Sequence, residues 1–195
     1  RVGMMNPQYL LPILDDYISI FKNPKVYKFL HIPVQSGSDE VLKKMSREYS
    51  VRDFKEIVKK FREEIPDITI STDIICGFPE EELVEDIEFD VLNISKFAPR
   101  ANTKAARMKQ LSGEVIKERS RRMTELYLKY AEKRNSNWIG WEGDIVIDEV
   151  GKDNTMVGRN YAYKEVVLKS KHSLGEKVKV KIKKATPFYL GAELI

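Results

Sequence analysis

Two short apolar runs, residues 28–34 and 68–76, constrain the fold of the first part of the chain most strongly. Strands that are apolar on both faces are typical of a parallel sheet covered by helices. Residues 2–5 and 90–97 predict two further strands, and helical patterns alternate with the strands, so we expect a parallel sheet with too few strands to close a (β/α) barrel. The helical patterns predict burial of Leu11, Leu14, Ile18 and Phe21, and then, after a capping box of Ser50 and Asp53, of Phe54, Ile57, Val58, Phe61 and Ile65.

Polar side chains interrupt or follow both apolar runs. Gln35 and Ser36 lie in a turn after the first run, and Ser38 is placed to cap the next helix. Asp73 lies within the second run, where burying a carboxylate is costly unless it is paired. Because the carboxyl ends of parallel barrel strands form the ligand-binding face, these residues are candidates for a site. A capped turn without a further role, and a purely structural Asp73, are the alternatives.

The hydrophobic period changes from about 3.6 to 2 near residue 137. Residues 112–137 predict one long basic amphipathic helix, which divides the chain into domains at 1–137 and 138–195. In the second domain we predict five short strands, at 144–150, 155–162, 164–169, 177–183 and 188–194. This spacing predicts a small five-stranded antiparallel barrel of the oligonucleotide-binding type. One strand alternates Val178, Val180 and Ile182 with a lysine row, which comprises Lys177, Lys179, Lys181 and Lys183.

Charge is distributed unevenly along the chain. Residues 1–95 contain 12 Lys and Arg against 18 Asp and Glu, whereas residues 96–195 contain 22 against 12. A basic half of this kind favours a polyanion such as nucleic acid over a merely solvated face. No apolar run approaches the roughly 20 residues that span a bilayer, and the single cysteine gives no disulfide framework, so we expect a cytoplasmic protein without a membrane partner.

Several segments, in the right order, resemble the radical S-adenosylmethionine methylthiotransferases that modify tRNA. The segments are residues 1–7, 31–38, 45–49 and 68–79, while 104–110 and 138–143 resemble the archaeal and eukaryotic branch that acts on threonylcarbamoyladenosine. Residues 158–163 resemble the characteristic turn of the RNA-binding TRAM domain. The resemblance implies an α/β fold, in which a partial radical-SAM (β/α) barrel precedes a five-stranded TRAM barrel.

The family uses S-adenosylmethionine and two 4Fe-4S clusters, the first held by a C-x3-C-x2-C motif. This chain has only Cys76, in an apolar run where a buried, inert thiol is expected, so neither set of cluster ligands is present and no metal site is predicted. We therefore expect the C-terminal part of a longer transferase, inactive alone, whose cluster ligands lie outside this chain. The resemblance further implies that the complete enzyme adds a methylthio group to C2 of threonylcarbamoyladenosine next to the anticodon.

The resemblance and the residue chemistry together give the candidate site residues. For S-adenosylmethionine they are Gln35, Ser36, Arg47, Asp73, Gly77, Phe78, Ser95 and Phe97. For the tRNA anticodon stem-loop they are Arg100, Lys104, Arg159, Asn160, Tyr163, Lys179 and Lys181. Pairing of Arg47 with Asp73, and a plain hairpin turn at 158–160, are the structural alternatives. A monomer that does not bind DNA is expected.

Two other functions stay open on the sequence. One is a non-catalytic RNA-binding protein, which takes the missing cysteines at face value, and the other is a radical enzyme acting on a different RNA base.

Four further expectations concern the two histidines, one turn and one connection between strands. His31 is expected to be a satisfied core histidine, and His172 to be exposed. The family's Pro-Arg-Pro-Gly-Thr is Pro-Arg-Ala-Asn-Thr here, and Asn102 is expected to take over the glycine's left-handed turn conformation. The short crossover predicts a missing stretch between Pro79 and Asp90, because parallel strands need a connection of about a dozen residues or more.

Overall fold

The computed structural model describes residues 1–78 and 87–195. The first part, which we call the sheet domain (residues 1–137), contains a parallel sheet of order β1-β2-β3. Its strands are β1 (Phe29–His31), β2 (Thr69–Cys76) and β3 (Val91–Lys96). Its helices are α1 (Pro7–Leu10), α2 (Leu14–Lys22), α3 (Asp39–Lys44), α4 (Val51–Glu64) and α5 (Gly113–Ser136), with 3₁₀ turns at Leu11–Ile13 and Ala105–Arg107.

The sheet domain has one main core, between one face of the sheet and its helices. The predicted capping box is confirmed, because the Ser50 hydroxyl accepts from the Asp53 amide at 3.1 Å and the Asp53 carboxylate accepts from the Ser50 amide at 2.8 Å. The Ser50 hydroxyl also donates to the Asp53 carboxylate at 2.7 Å, and the bonds that this carboxylate accepts from the Ser50 amide and hydroxyl lower the pKa of Asp53. The predicted core residues of α2 and α4 are buried together with the strand residues that face the helices. Leu11 is only partly buried, at the edge of this core.

Two strand predictions in the sheet domain need correction. Residues 2–5 form no strand, and Met5 donates one backbone hydrogen bond to the His31 carbonyl at 3.0 Å. The strand predicted at 28–34 is shorter because Pro33 has no N–H to contribute to the ladder. Pairing resumes at Gln35, which forms an isolated bridge with Ile74. The strand at 90–97 and the long helix are confirmed, with Ser112 capping α5.

The second part, which we call the barrel domain (residues 138–195), is a closed five-stranded barrel of order β4-β5-β6-β8-β7. The five predicted strands are confirmed as β4 (Glu142–Val150), β5 (Met156–Arg159), β6 (Glu165–Leu168), β7 (Lys177–Ala185) and β8 (Leu190–Leu194). The barrel is not wholly antiparallel, because β6 and β8 pair in parallel. Val178, Val180 and Ile182 lie in its core as the alternation predicts.

The connection between the parallel strands β2 and β3 runs from Gly77 to Asp90. Most of the predicted missing stretch falls on residues 79–86, which lie outside the described residues. That residues are missing from this connection therefore stays a prediction.

A buried carboxylate joins the two domains. Asp90, just before β3, accepts hydrogen bonds from the Ile70 amide at 3.0 Å, from Nε of Arg134 at 3.0 Å and from Nζ of Lys164 at 2.8 Å. Lys164 comes from the barrel domain and also donates to Oδ1 of Asn135 on α5 at 2.9 Å. Burial alone would raise the pKa of Asp90, but Lys164 and Arg134 hold the pKa below its usual value. The ion pairs and hydrogen bonds therefore stabilise the charged carboxylate.

We expect Lys164→Met to lower the free energy of unfolding by about 3–5 kcal/mol, because removing one partner of a buried ion pair leaves the other partner inadequately compensated. The matched control is Lys22→Met, which removes an exposed pair with Glu64 and should cost about 1 kcal/mol or less. Urea unfolding of both variants gives the comparison. Equal losses in the two variants would contradict the structural importance of Lys164.

Candidate functional site

The face of the sheet that points away from the helices carries a group of polar side chains. His31, Ser71, Asp73, Asn93 and Ser95 lie on it, since side chains alternate along each strand and the strands pair His31 with Ser71 and Asp73 with Asn93. Asp73 accepts from Nδ2 of Asn93 at 2.7 Å and lies 3.0 Å from Nε2 of His31. The interior of a (β/α) barrel is ordinarily filled by Val, Ile and Leu. This polar face is therefore a candidate surface for a ligand.

The alternative in which Asp73 pairs with Arg47 is wrong, because the partners of Asp73 are His31 and Asn93. His31 is satisfied as expected, but it lies half-buried on the polar face rather than in the core. Sequence reasoning also missed Asn93. The alternation of side chains along each strand gave a signal for both His31 and Asn93, because both lie on the face of the sheet that carries Asp73.

A pocket of about 380 Å³ lies at the carboxyl end of the sheet. Its lining includes four of the residues that the sequence analysis predicts to bind a ligand or RNA, namely Arg47, Phe78, Phe97 and Lys104. The Phe78 and Phe97 rings meet edge to face with centroids 5.0 Å apart. Nε of Arg47 is buried without a hydrogen-bond partner. The pocket thus offers aromatic surface and an unpaired guanidinium N–H, which suit an aromatic and an anionic part of one ligand.

The turn after β1 is held mainly by its own backbone. Gln35 has a φ of 67°, and its amide and carbonyl both bond to β2, to Asp73 and Ile75. The Ser36 side chain is wholly buried and accepts from the Ser38 amide at 3.3 Å, so Ser36 shapes the turn rather than facing a ligand. Tyr49 donates to the Pro33 and Val34 carbonyls, and burial raises the pKa of its hydroxyl to about 12.

Gly77 closes β2 with a φ of 92°. A Cβ at this position would lie 2.6 Å from the Ile116 side chain, so glycine is required both by the left-handed backbone and by the close approach of α5.

The turn at 158–163 packs against the amino-terminal ends of the parallel strands. The Lys28 amide donates to the Tyr161 carbonyl at 2.8 Å, and the Thr69 hydroxyl donates to the Ala162 carbonyl at 2.7 Å. Asn160 is wholly buried, and its side-chain oxygen accepts from the amides of Ala162 and Lys164. The prediction that Asn160 contacts RNA is therefore corrected, because this side chain builds the turn.

Arg159 and Tyr163 are also engaged at this junction. The Tyr163 ring packs edge to face against Tyr27 and Phe29, with centroids 5.0 and 5.2 Å away, and the Arg159 guanidinium lies 5.0 Å from its centre. Arg159 also pairs with Asp148 and Glu165. The eight residues of β2 span about 25 Å, so this turn and the pocket beside Arg47 lie at opposite ends of the sheet.

The lysine row of the barrel domain is largely ion-paired with acidic residues of neighbouring strands. Lys177 pairs with Asp144 at 2.8 Å, Lys181 with Glu142 at 2.6 Å, and Lys183 with Glu193 at 3.5 Å. Because these acidic partners lie beside the lysines, the net positive charge of this surface is lower than the lysine row alone predicts.

The expectation that His172 is exposed is wrong. Its side chain is only 12% exposed, and Nδ1 lies 2.9 Å from the Glu176 carboxylate. The loop folds back because Glu176 also accepts from the Ser173 amide at 2.8 Å.

Comparison with known proteins now adds to this geometry. Residues 2–89 match the radical SAM superfamily, and residues 139–195 match the TRAM domain. The chain therefore carries a segment that matches radical SAM proteins, followed by a TRAM domain. We call the sheet domain, whose residues 2–89 carry the first match, the radical SAM part, and we call the barrel domain the TRAM part.

The most similar proteins include three from distant organisms. The whole chain is 43% identical to a protein of Pyrococcus horikoshii named probable threonylcarbamoyladenosine tRNA methylthiotransferase, covering 48% of that protein. The Drosophila melanogaster threonylcarbamoyladenosine tRNA methylthiotransferase is 39% identical over the whole chain, which covers 37% of it. The Homo sapiens protein of the same name is 40% identical over 93% of the chain, which covers 33% of it. The chain thus spans about half the length of the archaeal relative and a smaller share of the two animal relatives.

Among residues 1–78 and 87–195, no helix is long and apolar enough to cross a membrane. Within the same residues, no three or more His, Cys, Asp or Glu side chains are grouped so that they could hold a metal ion.

We expect Thr69→Val to lower the free energy of unfolding by about 1–3 kcal/mol, because it leaves the buried Ala162 carbonyl without its donor. Thr155→Val is the matched control, since that hydroxyl donates to the Lys152 carbonyl in an exposed turn and its loss should cost about 0.5 kcal/mol or less. Denaturant unfolding compares the two variants. A cost at Thr69 no larger than that at Thr155 would show that the turn is not held by the sheet.

Proposed function

We propose that the protein containing this chain is a transferase that adds a methylthio group to C2 of threonylcarbamoyladenosine next to the anticodon of tRNA, by radical chemistry on S-adenosylmethionine. The observation that carries the proposal is the similarity along the whole chain, through both the radical SAM and the TRAM parts, to relatives bearing that enzyme name. The polar sheet face and the pocket at the carboxyl end of the strands support it.

The residues of the pocket fit S-adenosylmethionine. The unpaired Nε of Arg47 would bind its carboxylate, and the Phe78 and Phe97 rings would pack against its adenine. Asp73, held in place by His31 and Asn93, would bind a polar group of the ligand from the sheet face. Gly77, Ser95 and the backbone at Gln35 complete the proposed lining. In this chemistry one molecule of S-adenosylmethionine would supply a 5′-deoxyadenosyl radical, on receiving an electron from a cluster outside this chain, and a second molecule would donate the methyl group.

The residues of this chain do not fit an iron–sulfur cluster. Its one cysteine, Cys76, is wholly buried in the apolar core, whereas a 4Fe-4S cluster takes three or four cysteine ligands. We propose that two such clusters are held by cysteines outside this chain. This chain alone therefore provides part of the cofactor pocket and part of the RNA surface.

For the tRNA, we propose that the anticodon stem-loop approaches the carboxyl end of the sheet. Lys104 lines the pocket there, and the exposed Arg100 lies four residues before it. On the TRAM part, Lys179, Lys181 and the partly exposed Arg159 and Tyr163 are proposed as secondary contacts with the RNA. We propose that the protein acts on RNA as a monomer in the cytoplasm and does not bind DNA.

A non-catalytic RNA-binding protein is the second candidate, and the observation that favours it is the absence of cluster cysteines from these 195 residues. The complete reading frame distinguishes the two. Six cysteines in two upstream clusters support the transferase, and their absence supports the binding protein.

The transferase is tested with the protein from the complete reading frame, reconstituted anaerobically and supplied with S-adenosylmethionine, a sulfide source and tRNA carrying threonylcarbamoyladenosine. Mass spectrometry of the nucleosides should show the replacement of one hydrogen by a methylthio group. The Asp73→Ala variant should lose most of this product, and tRNA without the threonylcarbamoyl group should give none. An unmodified nucleoside from an iron-loaded wild-type enzyme would contradict the proposal.

The 195-residue chain itself should acquire no cluster on anaerobic reconstitution with iron and sulfide, because it supplies only Cys76. Absorbance near 400 nm and bound iron are the measurements. A stoichiometric cluster on this chain would show that its ligands are not confined to other parts of the protein.

A further inference from the structure

One segment of the chain is strongly basic and free of acidic residues. Residues 91–113 contain no Asp or Glu, and they contain five cations, which are Lys96, Arg100, Lys104, Arg107 and Lys109. All five are exposed. Across residues 1–78 and 87–195, none of the five side chains forms an ion pair. We call residues 96–110 the basic loop.

The lysine row of the TRAM part provides the contrast. Three of its four lysines already have carboxylate partners at 2.6–3.5 Å, on β4 or β8. A phosphate that binds one of these lysines must compete with a carboxylate. A phosphate that binds the basic loop displaces only water and mobile counterions, so the loop has the larger electrostatic gain from RNA.

The basic loop is built by internal hydrogen bonds. Asn102 has a φ of 66°, which confirms the expected left-handed turn, and the Thr103 hydroxyl donates to the Arg100 carbonyl at 2.7 Å. The Gln110 side chain donates to the Ala105 and Met108 carbonyls, both at 2.8 Å. Such bonds hold the loop in one shape before a partner arrives, which lowers the ordering cost of binding.

The loop also forms one wall of the pocket at the carboxyl end of the sheet. Its residues Phe97, Thr103, Lys104 and Ala105 line that pocket opposite Arg47. The Phe97 amide bonds to the Cys76 carbonyl at 2.7 Å, which fixes the start of the loop to the end of β2.

We propose that the basic loop is the main phosphate-binding surface of this chain, and that it holds the RNA backbone at the mouth of the pocket, with Lys96, Arg107 and Lys109 as contacts beyond Arg100 and Lys104. The proposal rests on the RNA substrate proposed above. It ranks the loop above the lysine row, although the lysine row is the more regular cationic pattern in the sequence.

The test measures binding of a fluorescent anticodon stem-loop RNA to the 195-residue chain by anisotropy over a range of salt concentrations. The loop variant is Lys96→Gln with Lys109→Gln, and the control is Lys177→Gln with Lys183→Gln. Both variants remove two lysine charges, so a general effect of net charge is the same in each. The loop variant should flatten the log–log salt slope by about 1.4, at about 0.7 for each contact, and the control by less than half of that.

The outcomes separate the two proposals. Binding by the wild-type chain with a steep salt slope, flattened by the loop variant only, supports the basic loop. A slope that is flattened equally by both variants, or more by the control, overturns the inference while leaving RNA binding intact. If the wild-type chain binds no RNA at low salt, RNA binding by this chain fails, and the inference fails with it. Circular dichroism of each variant verifies that it is folded.

Discussion

The contact between Asp90 and Lys164 is the interaction on which the arrangement of this molecule depends. The Asp90 side chain is 1% exposed and receives hydrogen bonds from β2, from α5 and from the TRAM part. Through Asn135, the same network reaches the Thr186 carbonyl, on the loop between β7 and β8. A buried carboxylate with cations from two domains is costly to separate, because each charge would lose its counterion. We infer that the two domains form one unit.

This junction decides which surfaces stay free for function. The Gly158–Tyr163 segment covers the amino-terminal ends of the strands through Lys28 and Thr69, which leaves the carboxyl ends open. The polar sheet face, the pocket beside Arg47 and the basic loop all lie toward or at that open end. This arrangement, with the amino-terminal ends of the strands covered and the carboxyl ends open, agrees with the general preference of parallel barrels for ligands at the carboxyl ends of their strands.

Local signals in the sequence predicted much of the fold. The Ser50 capping box, the period-2 strand around Val180 and the left-handed Asn102 each depend on neighbours within a few residues. The failures depended on contacts between distant segments. Asn160 lies in a segment with the composition of an RNA-binding turn, and only the docking of that turn against β1 shows that this side chain is buried. The ion pairs of the lysine row depend on the register of β7 against β4 and β8, which the alternation of one strand does not reveal.

The most direct test asks whether the two domains unfold together. Both tryptophans, Trp138 and Trp141, lie in the TRAM part, whereas every helix of the described residues lies in the radical SAM part. Tryptophan fluorescence and far-ultraviolet circular dichroism at 222 nm, a wavelength at which helices dominate, therefore report on different domains during one urea titration. The account predicts coincident transitions with one midpoint. Two separated midpoints in the wild-type chain would contradict it.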